Sequence, residues 1–455
     1  MSRAEGREQR AEKRKSNLWL AIFLASAAPV VSAAGQVTPA KTTAPVVTLS
    51  EARQRALRVD PAAVEATSNI RTAEWTRRSA RADLIAPRLS GNLNYIRFSD
   101  PFFNFGTGAI TPNAASATLE ASWVILGAGK FGIVKATNAG LQSAEANELA
   151  TRFQSALFTD EAYFEVLAQK ELRRVAADRL QRAQEQLAVA RVRVSAGEVI
   201  ASDSLQLLLE VNRSQYLLLI RDSALVASRL HLGTRIGLAG PAEAAPVDSL
   251  PPPALPFTEM QAIAELRERG PDIEAARADE VSADARVTAA KERYFPALTL
   301  TGTYGSYDDR LFPDALQRSQ LAVGLSFPFW DGGQREVVLA RAQAERNVAR
   351  AVRDERERSA NERMAQAVLG YETARAGIGL AQVGVSAATE TFRVQRARYG
   401  EGATTILDLL EAQVALSEAE GTLVQSRFNA RLALSQIEAL LGRRVFGDAG
   451  AGTNR

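Results

Sequence analysis

The chain has 455 residues, enough for two or three ordinary domains, with 55 Lys and Arg against 52 Asp and Glu, a single His and no Cys. Six bases (Arg3, Arg7, Arg10, Lys13, Arg14, Lys15) and three acids (Glu5, Glu8, Glu12) fall within residues 1–33, which accounts for the formal net charge of +3; the remainder is near neutral and lacks the basic surplus of a nucleic-acid-binding protein. The missing cysteines exclude disulfides, thiol chemistry, Cys-ligated metal and a lipid anchor on an N-terminal Cys.

In chain order, the basic start leads into LWLAIFLASAAPVV, residues 18–31, an apolar run short for a bilayer span. VSA at 31–33 offers a peptidase site after Ala33, with Ala34 as an alternative, so residues 1–33 read as a cleaved signal peptide; an uncleaved anchor is the competing reading. No later segment reaches 18 uninterrupted apolar residues, which excludes a spanning helix.

The rest of the chain is written twice. Residues 34–238 form a first repeat: a helix, strands at 88–98 and 117–126, then a long helical hairpin with its tip near Gly197. A proline-rich linker at 239–256 forbids helix and reads as extended. Residues 257–442 repeat the order, with strands at 297–307 and 320–329 and a tip near Gly402, before a tail at 443–455. Thr48 and Pro61 answer to Thr258 and Pro271, Pro87 to Pro296, Gly129 to Gly333, and Gly197 with Asp203 to Gly402 with Asp408, the offset shrinking from 210 to 205.

Two periodicities sort these segments. Leu298, Leu300 and Tyr304 alternate with threonines, and Leu321, Val323, Leu325, Phe327 and Phe329 alternate with small or polar residues; these are period-2 strands about as long as a transmembrane β-strand needs, although a soluble hairpin with one buried face has the same pattern. Leu180, Ala183, Leu187, Ala190 and Val194, and past the second tip Leu409, Ala412, Leu416, Ala419 and Leu423, keep heptad spacing and read as coiled coil. Gln334 to Arg398 is about 97 Å of helix at 1.5 Å per residue. Gly370, Gly377, Gly379 and Gly384 interrupt it at about 1 kcal/mol each, through either a bend or close helix packing. Four strands cannot close a barrel, and an open edge cannot sit in lipid, so strands of this kind span a membrane only when several copies pool them; three copies give twelve strands.

On YFPALTLTGTY (294–304), FPFWDGGQR (327–335), RYGEGATTILDLLEAQ (398–413) and ALSQIEALLG (433–442), together with the duplication, the chain resembles the TolC-like outer-membrane efflux proteins from about Thr48 to Gly442. The resemblance implies a mainly α fold with a membrane β part: a homotrimer with a twelve-stranded barrel in outer-membrane lipid, continuous with a helical tunnel through the periplasm. It also implies an exit duct for efflux or type I secretion, working with a periplasmic adaptor and an inner-membrane pump of RND, ABC or MFS type. Position by position, Asp408 and Glu411 match acids that ring the constricted periplasmic mouth, and Asp203 and Tyr399 match links that hold it closed. Thr404 departs from an arginine that pairs with acids there, which puts a salt-bridged gate in doubt.

Gly197 and Gly402 then permit the tip turns and lie where an adaptor docks. Clustered threefold, Asp408 and Glu411 would favour cations and raise one another's pKa; singly they are solvated residues near a helix start, the reading kept for Glu401. Asp331, Gly332 and Gly333 lack the Lys and Ser/Thr of a phosphate loop and read as a strand-to-helix turn. Trp123, Trp330, Tyr304, Tyr307 and Phe312 fall near strand ends, as girdle residues or as ordinary packing. His231 reads as a packed or surface residue, and no enzyme site, cofactor or metal site is expected. A periplasmic coiled-coil adaptor, or a secreted structural coiled coil without a pore, are the competing functions; an adaptor carries one hairpin, not two each preceded by strands.

Overall fold

The computed structural model describes residues 44–105, 108–127, 129–197, 200–247, 253–310 and 315–446. The signal peptide, the tail beyond residue 446, part of the linker and Phe312 lie outside them. In chain order the elements are β1 (Val46–Val47), α1 (Leu49–Val59), α2 (Pro61–Ile85), β2 (Arg88–Asn104), β3 (Ala109–Leu126), α3 (Lys130–Ser195), α4 (Ala201–Arg235), β4 (Glu243–Ala244), α5 (Glu259–Arg269), α6 (Pro271–Glu292), β5 (Ala297–Asp308), β6 (Leu316–Ser326), α7 (Gln334–Gly400) and α8 (Ile406–Leu441).

The duplication is visible in how helices begin. Thr48 caps α1 by accepting the Glu51 N–H, and Thr258 caps α5 in a reciprocal box with Gln261. Pro61 and Pro271 open α2 and α6, where a missing N–H costs nothing. Gly129 and Gly333, at φ +75° and +85°, turn the chain from strand into α3 and α7. These two helices have 66 and 67 residues, about 100 Å each at 1.5 Å per residue. Gly370, Gly377, Gly379 and Gly384 lie inside the continuous α7; a methyl group added at Gly370, Gly379 or Gly384 meets nothing within 4 Å among the described residues, so close approach within the chain does not explain those three.

The helices form a single layer whose composition changes along its length. Beside the sheet, α3 packs on α2 and α6, and α6 on α7; toward the tips, α3 packs on α4 and α8, and α8 on α7. Near its middle, Tyr163, Leu225, Leu232 and Ile236 enclose the parallel pair β1 and β4, and Leu266, Ile273, Met364, Tyr371 and Ile437 form a second core. The Tyr163 hydroxyl donates to Ala245 O at 2.8 Å and lies 3.3 Å from Val47 O, and Tyr371 donates to Pro253 O at 2.6 Å, so each long helix holds one end of the linker.

The four long strands form an antiparallel sheet in the order β2, β3, β5, β6. Four expectations need correction. The strand expected at 88–98 continues to Asn104 past an irregularity between Arg97 and Phe102, and that expected at 117–126 begins at Ala109. The strand expected at 320–329 runs from Leu316 to Ser326; Pro328, which has no N–H, cannot extend the ladder, so Phe327 and Phe329 lie beyond it. Glu401 follows the last residue of α7 as its C-cap and does not start a helix, because Gly402 at φ +71° makes the turn and α8 begins only at Ile406.

Candidate functional site

The sheet has two chemically different faces. Directly opposed residues share a face: Leu93 pairs with Ala117, Leu119 with Tyr304, Trp123 with Leu300, and Leu300 with Val323. The other face pairs Asn92 with Thr118, Glu120 with Thr303, and Thr303 with Gln320. The apolar face is exposed, with Leu93, Leu321, Val323 and Leu325 each about 70% accessible (69–74%). Tyr304 and Trp123 belong to it, the Tyr304 hydroxyl meeting Gln317 Oε1 at 2.8 Å. Tyr307 does not: opposed to Ser116 and Leu316, it falls on the polar face by the pleat's parity, and so leaves the expected girdle. Trp330 lies past the end of β6 and is exposed. Strands β2 and β6 end the sheet, so each has one edge without a neighbouring strand among the described residues.

The strand-to-helix turn at Asp331, Gly332 and Gly333 combines two positive φ values, +69° and +85°, with the Asp331 carboxylate. Its Oδ1 accepts the Gly333 N–H at 3.2 Å and its Oδ2 receives Arg335 Nε at 2.9 Å, while the Arg335 guanidinium lies 5.1 Å from the Tyr294 ring. The carboxylate locks the turn.

At the far end of the helices the two tips pack on one another. Leu187, Ala190 and Leu207 of the first hairpin meet Phe392, Tyr399, Ile406, Leu409, Ala412 and Leu416 of the second. Gly197 and Gly402, at φ +76° and +71°, turn each chain segment with open space where a side chain would be. The buried Tyr399 donates its hydroxyl to Asp203 Oδ2 at 3.3 Å, joining the two hairpins. Burial, followed by the Asp203 charge, pushes the Tyr399 phenol above its ordinary value. Sequence reasoning missed Arg193, which donates to Tyr399 O at 2.8 Å and stacks 5.6 Å from the same ring. Its only local signal was a base in the last turn of α3.

Asp408 sits at the third position of α8 and closes a capping box with Thr405. Its Oδ2 accepts from Thr405 Oγ1 at 2.6 Å, Thr404 Oγ1 at 2.8 Å and Thr405 N at 3.0 Å. The Thr405 hydroxyl first, then that of Thr404, hold the carboxyl of the single chain below its ordinary range. Thr404 is therefore a ligand of Asp408 in this chain. Glu411, one turn on, is exposed and makes no hydrogen bond among the described residues. His231 lies exposed on α4.

A family profile described as outer membrane efflux protein matches residues 262–443. The chain is 27% identical over 166 residues to nodulation protein T of Rhizobium leguminosarum bv. trifolii, a match spanning 36% of each chain. It is 28% identical over 410 residues to the pyoverdine export outer membrane protein OpmQ of Pseudomonas aeruginosa, covering 86% of this chain and 82% of that one. Among solved structures, the outer membrane protein VceC of Vibrio cholerae superposes with a TM-score of 0.73 at 19% identity, over 88% of this chain and 97% of that one, a likeness of fold. Among the described residues no helix is long and apolar enough to cross a membrane.

Proposed function

Because the chain belongs to the outer membrane efflux protein family, we propose that three copies pool their sheets into a twelve-stranded outer-membrane barrel. The barrel would continue into a periplasmic tunnel of long helices, forming a passive exit duct. One observation carries this reading: an antiparallel sheet that is apolar on one face, polar on the other and unpaired at both edges, joined to helices of about 100 Å. In lipid such a sheet satisfies its edge N–H and C=O groups only by closing with further copies. The apolar face then meets outer-membrane lipid and the polar face lines water.

The tips form the periplasmic mouth. Gly197 and Gly402 would dock a periplasmic adaptor, and an inner-membrane pump of RND, ABC or MFS type would supply the energy, the chain itself catalysing nothing. Asp203, Tyr399 and Arg193 link the two hairpins of one copy across the mouth. Asp408, held ionised by its threonines, and the unengaged Glu411 would present threefold negative charge to passing solutes and favour cations. The second set of strands argues against a single-hairpin adaptor.

Planar-bilayer conductance of the purified protein tests this, beside an Asp408→Asn, Glu411→Gln variant. A cation-preferring conductance that loses its preference in the variant supports both duct and acidic mouth. An unchanged preference removes the acids from the mouth, and no current from inserted protein removes the duct.

A further inference from the structure

Resting on the duct just described, we propose that a polar recess in its wall, built by Arg356, Arg363, Gln154 and Gln436, binds the carboxylate or phosphate group of passing cargo. The recess has a volume of about 740 Å³ and opens where α8 ends and α6 begins, between α3 and α7. Arg363 is only loosely engaged, 3.8 Å from Asp272 of α6. Arg356, Gln154 and Gln436 make no hydrogen bond or ion pair among the described residues. Neighbouring arginines of α7 are not left over in this way: Arg350 and Arg353 hold Glu280, and Arg358 holds Glu355. A guanidinium without an acid, facing amides across a recess, is a planar donor set suited to an oxyanion.

Two features turn the recess toward the duct. Met364, Tyr371 and Ile437 of the same two helices pack under Leu266 of α5 and under the linker, a belt that would obstruct a duct from within and therefore lies outside it. Arg363 and Gln436 each precede a member of that core by one residue, so the helical step of about 100° turns them off it. The second feature is register. Gln436 follows Asp408 by 28 residues, with Thr422 midway, and heptad spacing keeps these three exposed residues on one face of α8.

At 1.5 Å per residue, the recess lies about 40 Å above Asp408 along α8. The electrostatic field then changes sign along the wall, from the carboxylates of Asp408 and Glu411 to the guanidinium groups of Arg356 and Arg363. Arg356 precedes Arg363 by one heptad, so both present their charge on one face of α7.

The cysteine-free chain allows the recess to be probed in the full protein. Ala439→Cys, at a residue lining the recess, and Thr422→Cys, lower on α8, are each reacted with an anionic and a cationic methanethiosulfonate. The ratio of anionic to cationic rate is expected to be at least about threefold higher for Ala439→Cys. Inorganic pyrophosphate, compared with chloride at equal ionic strength, should slow the reaction of Ala439→Cys and leave that of Thr422→Cys unchanged. Adding Arg356→Gln with Arg363→Gln should abolish both effects, whereas Arg358→Gln, which removes a nearby charge outside the recess, should abolish neither. Equal rate ratios at the two positions, or no slowing by pyrophosphate, would overturn the oxyanion site whether or not a duct exists. Reaction of Ala439→Cys with a maleimide carried on a globular protein too large to enter the duct would put the recess on the outside, and would overturn the cargo role while the anion site stood.

Discussion

Arg53 and Asp160 meet as a fork between α1 and α3: Nε and Nη2 of the arginine each lie 2.5 Å from a carboxylate oxygen, and Ser435 Oγ of α8 donates to the same group at 2.6 Å. Asp160 is fully buried, so removing its cation leaves an uncompensated charge, at a cost of about 3 to 5 kcal/mol. Arg53→Ala is expected to lower the urea midpoint of the helical signal substantially, and Ser435→Ala by less. An Arg53→Ala loss no larger than that of an exposed ion pair would contradict the fork's structural weight.

Tyr163 joins that region to the linker through Val47 O and Ala245 O. Burial pushes its phenol from 10.0 up to about 12. Because the folded chain favours the neutral form, this contribution to stability is complete below pH 10 and is lost as pH rises toward about 12. Tyr163→Phe, which leaves two buried carbonyls without this donor, is expected to cost about 1 to 3 kcal/mol at neutral pH. It should also flatten the alkaline part of a stability curve; a curve with wild-type slope above pH 10 would contradict it.

The second tip should respond to acid. The Asp408 carboxyl lies below its ordinary 3.8 when folded, so its contribution is present above that pH and lost as pH falls below it. Thr405→Ala removes the cap of α8 and is expected to cost about 1 kcal/mol. Amide exchange at Leu409 and Leu410 should accelerate in that variant and in acid, while exchange in the middle of α8 stays unchanged.

Two glycines with similar backbone angles should differ in their tolerance of alanine. At Gly402 a side chain meets open space, so Gly402→Ala carries only the strain of positive φ, about 1 to 2 kcal/mol, and Gly402→Asn should cost less because asparagine tolerates that region. At Gly129 the added Cβ would lie 2.6 Å from Ala289 O, so Gly129→Ala must also displace α6. Thermal midpoints should be highest for Gly402→Asn, lower for Gly402→Ala and lowest for Gly129→Ala, and equal losses at the two sites would refute the distinction.

Much of this was legible because the residues concerned act locally. Pro61, Pro271, Gly333 and Gly402 serve cap and turn geometries that any chain must satisfy, and their recurrence at nearly constant offset revealed the duplication. Arg193, Arg53 and Asp160 were not legible, since their partners lie between 107 and 275 residues away and nothing in the surrounding pattern marks them. Tyr307 was misread from its nearness to a strand end, whereas its face follows from parity along the strand. The capping of Asp408 was readable: Thr405 three residues before an acid is a helix-start signal.

The unpaired edges of β2 and β6 have a consequence for inheritance. In a ring built from identical chains, one defective seam opens the whole enclosure, so each copy is answerable for its neighbours. A variant with proline inside β6 could still fold its helices and join a ring, yet it would leave a gap wherever it was included. In a cell making both forms, functional ducts would arise only from rings that excluded the variant, and such an allele would behave as dominant, whereas one that prevents the chain from folding at all would be recessive.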